Sequence, residues 1–270
     1  MDFYTDLETA LFSADINTKE LIVNRAIEYC QIKDVTFSEF IPKIQEEPSY
    51  SKFTNIVEPK KLPKRGDFSK RDGQLALIHS ITHIEFSAID LAIDAVYRFT
   101  NMPKEYKLDW LTVAQDEIKH FKMLAKLLAK LDAKYGDLPV HKGLFEMAYK
   151  TNSSVIERMA VIPRYFEASG LDVNPKIIFK LKNYKKSVLI NELINALDII
   201  YIEEIDHVRK GDKWFKYLCN MESVEPQNRY IEILNKFRLK GRAQQYNINA
   251  RKMAGFSCKE LLNLGVKKCD

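Results

Sequence analysis

The sequence predicts an all-α fold, and three observations support this prediction. Only 9 Gly and 9 Pro occur in 270 residues, so long segments run without the residues that most often interrupt helices. Apolar residues in those segments recur every three or four positions, which is the period of a helix with one buried face. With 46% apolar residues, the chain also has enough hydrophobic side chains for a sizeable core.

Four long helices are predicted, and Gly- or Pro-containing turns end the first three. The predicted spans are 73–101, 105–133, 142–169 and 187–220, with turns at 101–103, 135–139 and 170–175. Shorter helices are expected near 3–13, 17–31 and 226–238.

These elements divide the chain into three regions. Residues 1–70 are expected to form N-terminal helices and a Pro- and Lys-containing segment that wraps the surface. Residues 71–220 are expected to form a four-helix bundle, and residues 221–270 a C-terminal helix and tail packed on that bundle. The tail sequence GRAQQYNINARKMAGFS, at 241–257, has no clear periodicity and is assigned to no element.

Two of the long helices carry a glutamate and a histidine three positions apart inside an apolar face. Glu117 and His120 lie in QDEIKHF, within the apolar stripe of the second helix. Glu204 and His207 lie in EEIDHV, in the middle of a similar stripe on the fourth helix. Residues three apart share one helix face, so each pair is expected to point toward the core.

The first and third helices each contribute one acid in the same kind of position. Glu85 is flanked by apolar residues such as Ile81 and Ile89, and Glu167 comes after Ala160 and Pro163 near the end of the third helix. Four ionised carboxylates facing one apolar interior would repel one another, and each would cost several kcal/mol to desolvate without a partner. The pattern therefore requires positive charge at the same place.

Two divalent cations would balance the four carboxylates, and two neutral imidazoles would add ligands without adding charge. One Glu from each of two helices and a Glu-x-x-His pair from each of the other two is the ligand pattern of di-iron and di-manganese carboxylate bundles. The sequence thus predicts a site for two metal ions, with the ligands Glu85, Glu117, His120, Glu167, Glu204 and His207. Iron is the favoured metal, and manganese or a mixed pair are alternatives because these metals share the same ligands.

Other interpretations of these residues stay open. Glutamate and histidine three apart also form ordinary surface ion pairs, although only His120 and His207 of the five histidines fit that spacing. Glu157 competes with Glu167 for the third-helix role, but the turns before Glu157 are polar. His83, two positions before Glu85, is either a core histidine or a residue that supports a metal ligand.

Several stretches together resemble an uncharacterised bacterial family of ferritin-like proteins, from about residue 55 to residue 257. They include HSITHIEFSAIDLAIDAVYRF (79–99), DEIKHFKML (116–124), RMAVIPRYFEASGLDVNP (158–175) and EEIDHVRKGDKWFKYLC (203–219). The resemblance implies a ferritin-like four-helix bundle with additional N- and C-terminal helices. It also places the family's presumed ligands on the same six positions, with Glu167 rather than Glu157 in the third helix. The wider relatives include tRNA hydroxylases, but fold and ligand pattern alone do not transfer a substrate.

Six ligands for two metals leave coordination positions open, which favours an oxidoreductase that activates O₂ and hydroxylates or oxidises a small organic substrate. O₂ would be the co-substrate, and an electron donor would be needed. One alternative is a metal (iron) storage protein, but long terminal additions suit a closed shell poorly. Another is a tRNA-modifying hydroxylase that uses the basic stretch 59–71, although a net charge of +5 is modest for RNA binding. A monomer or small homo-oligomer is expected.

The N-terminus lacks a basic stretch followed by an apolar block, and nowhere do roughly 18 apolar residues run together. A soluble cytoplasmic protein without a membrane partner is therefore expected. The cysteines, Cys30, Cys219, Cys258 and Cys269, are scattered with no metal-binding or redox spacing. We expect all four to be reduced thiols.

Overall fold

The computed structural model confirms the all-helical prediction. It describes residues 2–33, 35–63, 66–184, 186–239 and 246–269. Within these ranges the secondary structure is helical, and the β-type pairing present is one isolated bridge between Ile56 and Val140.

The N-terminal helices are α1 (Phe3–Phe12) and α2 (Ile16–Gln31). Each begins after an aspartate whose carboxylate accepts a backbone N–H of the first turn: Asp2 from Thr5, and Asp15 from Asn17 and Thr18. Such caps satisfy amide groups that have no partner inside the helix. The segment after α2 contains two short 3₁₀ helices, Ser49–Lys52 and Pro59–Lys61.

The first two long helices are α3 (Arg71–Arg98) and α4 (Lys104–Ala129), close to their predicted spans. They pack against each other along most of their length. Within the described residues, α3 is the one helix long and apolar enough to cross a membrane by length and composition, but 89% of its most apolar window is buried. Burial on nearly all sides is typical of a core helix.

The third helix was predicted to run without a break from 142 to 169, and this prediction is wrong. The chain instead forms α5 (Gly143–Lys150), α6 (Val155–Val161), a π-helix (Ile162–Glu167) and α7 (Ala168–Leu181). The break between α5 and α6 ends at Ser154, whose side chain caps α6 by accepting a hydrogen bond from the Glu157 N–H. Helix continues through the predicted turn at 170–175, and Pro175 lies inside α7, where its missing N–H removes one hydrogen bond without ending the helix.

The fourth long helix, α8 (Val188–Met221), matches its prediction. It is preceded by the 3₁₀ turn Lys182–Tyr184 and followed by α9 (Pro226–Lys236). The unassigned tail contains two short helices, α10 (Ile248–Met253) and α11 (Cys258–Asn263). The tail residues 241–245 lie outside the described residues.

The chain divides into two compact units. The first unit contains Met1–Tyr149 and Tyr184–Ala196, and the second contains Lys150–Asn183 and Leu197–Asp270. The first unit therefore holds α1 to α5 and the start of α8. The second holds α6, the π-helix, α7, the rest of α8 and the C-terminal helices.

The cysteines differ from the prediction. Cys258 and Cys269 form a disulfide across 11 positions, whereas Cys30 and Cys219 are free, buried thiols. The spacing of Cys258 and Cys269 matches no metal or redox motif, so pairing depends on how the chain folds back after α11. The cytoplasmic location stays a prediction.

Candidate metal centre

Glu85, Glu117 and His120 meet inside the first unit. Glu85 lies at the middle of α3, and Glu117 and His120 lie one turn apart on α4. All three are buried, with 3%, 0% and 0% of their surface exposed, respectively. Because α3 and α4 pack along their apolar faces, the polar residues inside those faces are forced together.

The three side chains are close enough to share one cation. His120 Nδ1 lies 3.2 Å from a Glu85 carboxylate oxygen and 3.4 Å from one of Glu117. One potential ligand atom from each residue lies within 4.8 Å of the other two. In this geometry Glu85 of α3 lies beside the Glu-x-x-His pair of α4, and the role of the three residues as metal ligands stays a prediction.

The electrostatics of this cluster are those of an anion-rich site. Burial, and then the charge of Glu117, raise the pKa of Glu85 well above its usual range. Burial alone would lower the pKa of His120, but its hydrogen bonds to Glu117 and Glu85 and their charges raise it to about 11. Without a metal, the proton that His120 keeps supplies one positive charge, which balances one of the two carboxylates.

Two aromatic residues stand next to Glu85 and His120 in the sequences of α3 and α4. Phe86 and Phe121 directly follow Glu85 and His120, and their ring centroids lie 5.2 Å apart. Tyr135 contacts both rings, at 5.2 Å and 5.6 Å. These three rings form one aromatic cluster in the first unit.

Glu204 and His207 lie together in the second unit, on α8. His207 Nδ1 is 3.6 Å from a Glu204 carboxylate oxygen. The imidazole is completely buried, whereas 15% of the Glu204 side chain is exposed. The second Glu-x-x-His pair thus has the one-face arrangement that its spacing predicts, with the acid nearer to solvent than in the first unit.

Glu167 ends the π-helix of the second unit. A π-helix is wider than an α-helix, and single turns of this kind frequently occur at functional sites. Here it spans Ile162–Glu167, with Pro163 in its first turn, and Glu167 is half-buried. Sequence periodicity did not reveal this element; the proline inside an otherwise helical segment was the available signal.

The alternative to Glu167 has another partner. Glu157 forms an ion pair with Lys236, so its carboxylate is held on the face of α6 that packs against α9. The structure thus gives Glu157 a stabilising role that its sequence position alone did not reveal.

His83 bonds to groups other than the metal candidates. Its Nδ1 lies 2.8 Å from the Tyr135 hydroxyl, and its Nε2 lies 2.7 Å from the His141 carbonyl oxygen. With His79 and His141 it lines a cavity of about 80 Å³. Burial lowers the pKa of His83 to about 4, so the neutral ring accepts from Tyr135 and donates to the carbonyl.

Fold and residue clusters define an all-helical protein in which two acid–histidine clusters lie on long helices. The chain belongs to a family described as "Protein of unknown function (DUF455)", whose model matches residues 12–262. It is 35% identical over 271 residues to an uncharacterised protein of Haemophilus influenzae, and the match covers 96% of this chain and 92% of that protein. Among solved structures, none matches the chain.

Proposed function

We propose that this protein is a di-metal carboxylate oxidoreductase of the ferritin-like type, which activates O₂ and hydroxylates or oxidises a small organic substrate. Its proposed ligands are Glu85, Glu117 and His120 from the first unit, and Glu167, Glu204 and His207 from the second. The observation that carries this proposal is the buried pair of carboxylates Glu85 and Glu117, close to one another and to a single imidazole.

The donor set of the first unit fits a divalent metal ion. Two carboxylates and one imidazole are hard and borderline ligands of the kind that Fe²⁺ and Mn²⁺ take. A buried carboxylate pair is costly unless a cation balances it, and one proton on His120 balances only one of the two charges. Burial and the charge of Glu117 raise the pKa of Glu85, as expected where one of the two carboxylate charges is not balanced.

When bound, a pair of reduced metal ions would supply electrons for the reduction of O₂. Hydroxylation of a C–H bond consumes one O₂, two electrons and two protons, and releases the alcohol and one water. An external donor of two electrons is therefore part of the proposal. The burial of Glu85, Glu117 and His120 would keep bulk water from the first-unit ligands.

Differences in exposure support substrate entry beside the second-unit ligands. Glu85, Glu117 and His120 are sealed, whereas Tyr165, Phe166 and Glu167 are half-buried and Glu204 is partly exposed. A substrate small enough to pass between these side chains would reach the carboxylates of Glu167 and Glu204. The basic stretch at 59–71 gives less support for an RNA substrate, because Lys60 pairs with Glu58, and Lys64 and Arg65 lie outside the described residues.

Anaerobic titration with Fe²⁺, followed by exposure to air, tests the proposal. We expect about two Fe²⁺ per chain and an optical change that requires O₂. Glu117→Gln and Glu204→Gln, one ligand from each unit, should each reduce the bound metal. Glu157→Gln is the matched control, because it removes a carboxylate from the same fold that pairs with Lys236.

Two results would overturn the proposal. A folded wild-type chain that binds no metal would exclude the site, and a fully loaded chain with no O₂-dependent change would exclude the oxidoreductase activity. Size-exclusion chromatography distinguishes this proposal from the storage alternative, because a storage protein requires a closed shell of many subunits.

A further inference from the structure

Arg164 is a completely buried arginine in the π-helix, three positions before Glu167. Its Nη2 forms an ion pair with Glu260 of α11 and lies 3.3 Å from Asp212 of α8. A buried guanidinium is costly to desolvate, so a residue of this kind is retained where several partners hold it.

An aromatic cage closes around the same guanidinium. The Arg164 Cζ lies 4.6 Å, 4.5 Å and 4.8 Å from the ring centroids of Phe215, Tyr230 and Phe256, respectively. The Tyr230 hydroxyl also donates to the Arg164 backbone carbonyl, at 3.0 Å. Side chain and backbone of Arg164 are thus both fixed, by residues from α8, α9 and the tail.

Of the two acids, Glu260 is the stronger partner. Burial opposes ionisation of Glu260, but the charge of Arg164 and the Ser257 hydrogen bonds outweigh it and lower its pKa. Burial instead raises the pKa of Asp212 despite the same guanidinium. Glu260 is held in turn by a capping box with Ser257 at the start of α11.

The C-terminal tail reaches α8 at the same place. A β-carbon on Gly255 would lie 2.2 Å from an Asp212 carboxylate oxygen, so the turn after α10 lies directly on that side chain. Lys216 pairs with Asp212 at 2.8 Å and donates to the Gly255 carbonyl at 2.8 Å. The positive charges of Arg164 and Lys216 together balance the negative charges of Asp212 and Glu260.

This ion cluster lies within a few residues of three proposed ligands. Glu167 shares the π-helix with Arg164, and Glu204 and His207 lie eight and five positions before Asp212 on α8. Beside the cluster, Pro163 lies against Gly211, where no side chain separates the π-helix from α8. Arg164 and its neighbours therefore link the π-helix to α8 and to the C-terminal tail.

We propose that Arg164 is a positioning residue for the Glu167 carboxylate. We also propose that the C-terminal tail supports the second-unit ligands, because Glu260 holds Arg164 in place. This inference rests on the proposed function, because it assigns the ion cluster a role in metal binding. Arg164 itself would contact neither metal nor substrate. It would act by holding the end of the π-helix in the register that presents Glu167.

A double-mutant cycle with Mn²⁺ as the probe tests this role. Arg164→Lys keeps the charge but loses the planar guanidinium that the three rings enclose, and should weaken binding of one of the two Mn²⁺ ions by about 10-fold to 100-fold, the usual effect of disturbing a supporting residue. In a Glu167→Gln background, the same change should have no further effect on Mn²⁺ affinity. Arg158→Lys is the matched control: Arg158 is buried in α6, and its Nε donates to Thr151.

Metal affinity is measured below the unfolding transition of every variant, and Arg158→Lys should retain two Mn²⁺ even at an equal loss of stability. Wild-type affinity in Arg164→Lys, or an equal loss with and without Glu167, would overturn the positioning role while leaving the proposed function intact. Wild-type protein that binds no Mn²⁺ would overturn both. If Arg164→Lys fails to fold, Glu260→Gln replaces it in the cycle, with the same two outcomes.

Discussion

Gly211 on α8 lies so close to Pro163 of the π-helix that a β-carbon on the glycine would stand 2.2 Å from the proline Cβ. No pair of non-bonded carbon atoms tolerates that separation. The glycine therefore allows the two helices to approach, at a point four positions after His207 on α8 and four positions before Glu167 on the π-helix. Glycine in the middle of a long helix is unfavourable by about 1 kcal/mol relative to alanine, and the close approach is the physical reason for it here.

Gly211→Ala should lower the free energy of unfolding by about 1–3 kcal/mol, because the new methyl group overpacks a contact that involves backbone on one side. Gly170→Ala in α7 is the control, since no atom of the described residues lies within 4 Å of the added carbon. That control should change stability little, or raise it by up to about 1 kcal/mol. Urea unfolding of the three proteins measures both. Equal stability in Gly211→Ala and wild type would contradict the contact.

Glu85→Gln separates a metal site from a structural ion cluster. In the metal-free protein the pKa of Glu85 is raised by burial and by Glu117, so a neutral amide should be tolerated within about 1 kcal/mol, or should stabilise. Mn²⁺ should then raise the melting temperature of wild type but not of the variant. A large loss in the metal-free variant would instead show that Glu85 stabilises the fold through His120.

Asp90→Asn on the same helix provides the contrast. Asp90 accepts from the completely buried Lys19 at 2.6 Å and from Ser49 at 2.6 Å. Neutralising it leaves a buried ammonium without its counter-ion, which costs about 3–5 kcal/mol. The loss should be the same with and without Mn²⁺, because this ion pair has no part in the proposed site.

Helical period and residue spacing predicted α3, α4, α8 and the meeting of Glu85 with Glu117 and His120, because a polar residue inside an apolar stripe has only one direction to point. They did not predict the π-helix, since nothing in the local sequence beyond Pro163 marks its widened turn. Arg164 was missed for a related reason. An arginine in a sequence is most often a surface residue, and its partners Asp212 and Glu260 are 48 and 96 positions away.

Metal binding should release protons, and its affinity should rise with pH. In the metal-free protein the pKa of His120 is raised from 6.5 to about 11, so the ring carries a proton at neutral pH that a metal must displace. We expect at least one proton released per first-unit metal, from His120 and in part from Glu85, whose pKa is also raised, and therefore a gain in Mn²⁺ affinity of about tenfold or more per pH unit between roughly pH 7 and 9. Calorimetry in buffers of different ionisation enthalpy measures the proton count.

The same shift fixes how stability depends on pH. A histidine whose pKa is higher in the folded state than in the unfolded state stabilises the fold. The contribution is fully present below the unfolded pKa of 6.5 and is lost as the pH rises toward the folded pKa of about 11. Glu85, an acid with a raised pKa, works in the same direction above its usual value of 4.5. Metal-free protein should therefore lose stability from about pH 7 to about pH 9, while stabilisation by Mn²⁺ grows. A metal effect independent of pH would contradict this account of the first-unit cluster.

Tyr135→Phe tests whether His83 supports the metal ligands or the fold alone. The variant removes the hydroxyl that donates to His83 Nδ1 at 2.8 Å and leaves a buried acceptor unsatisfied, which should cost about 1–3 kcal/mol of stability. Mn²⁺ affinity should stay at the wild-type value, because both ring nitrogens of His83 are engaged by Tyr135 and the His141 carbonyl, not by Glu85. Tyr149→Phe, at a tyrosine that is 47% exposed, controls for the lost hydroxyl and should change neither quantity. A tenfold or larger loss of Mn²⁺ affinity in Tyr135→Phe would mean that the Tyr135–His83 hydrogen bond influences Glu85, two positions further along α3.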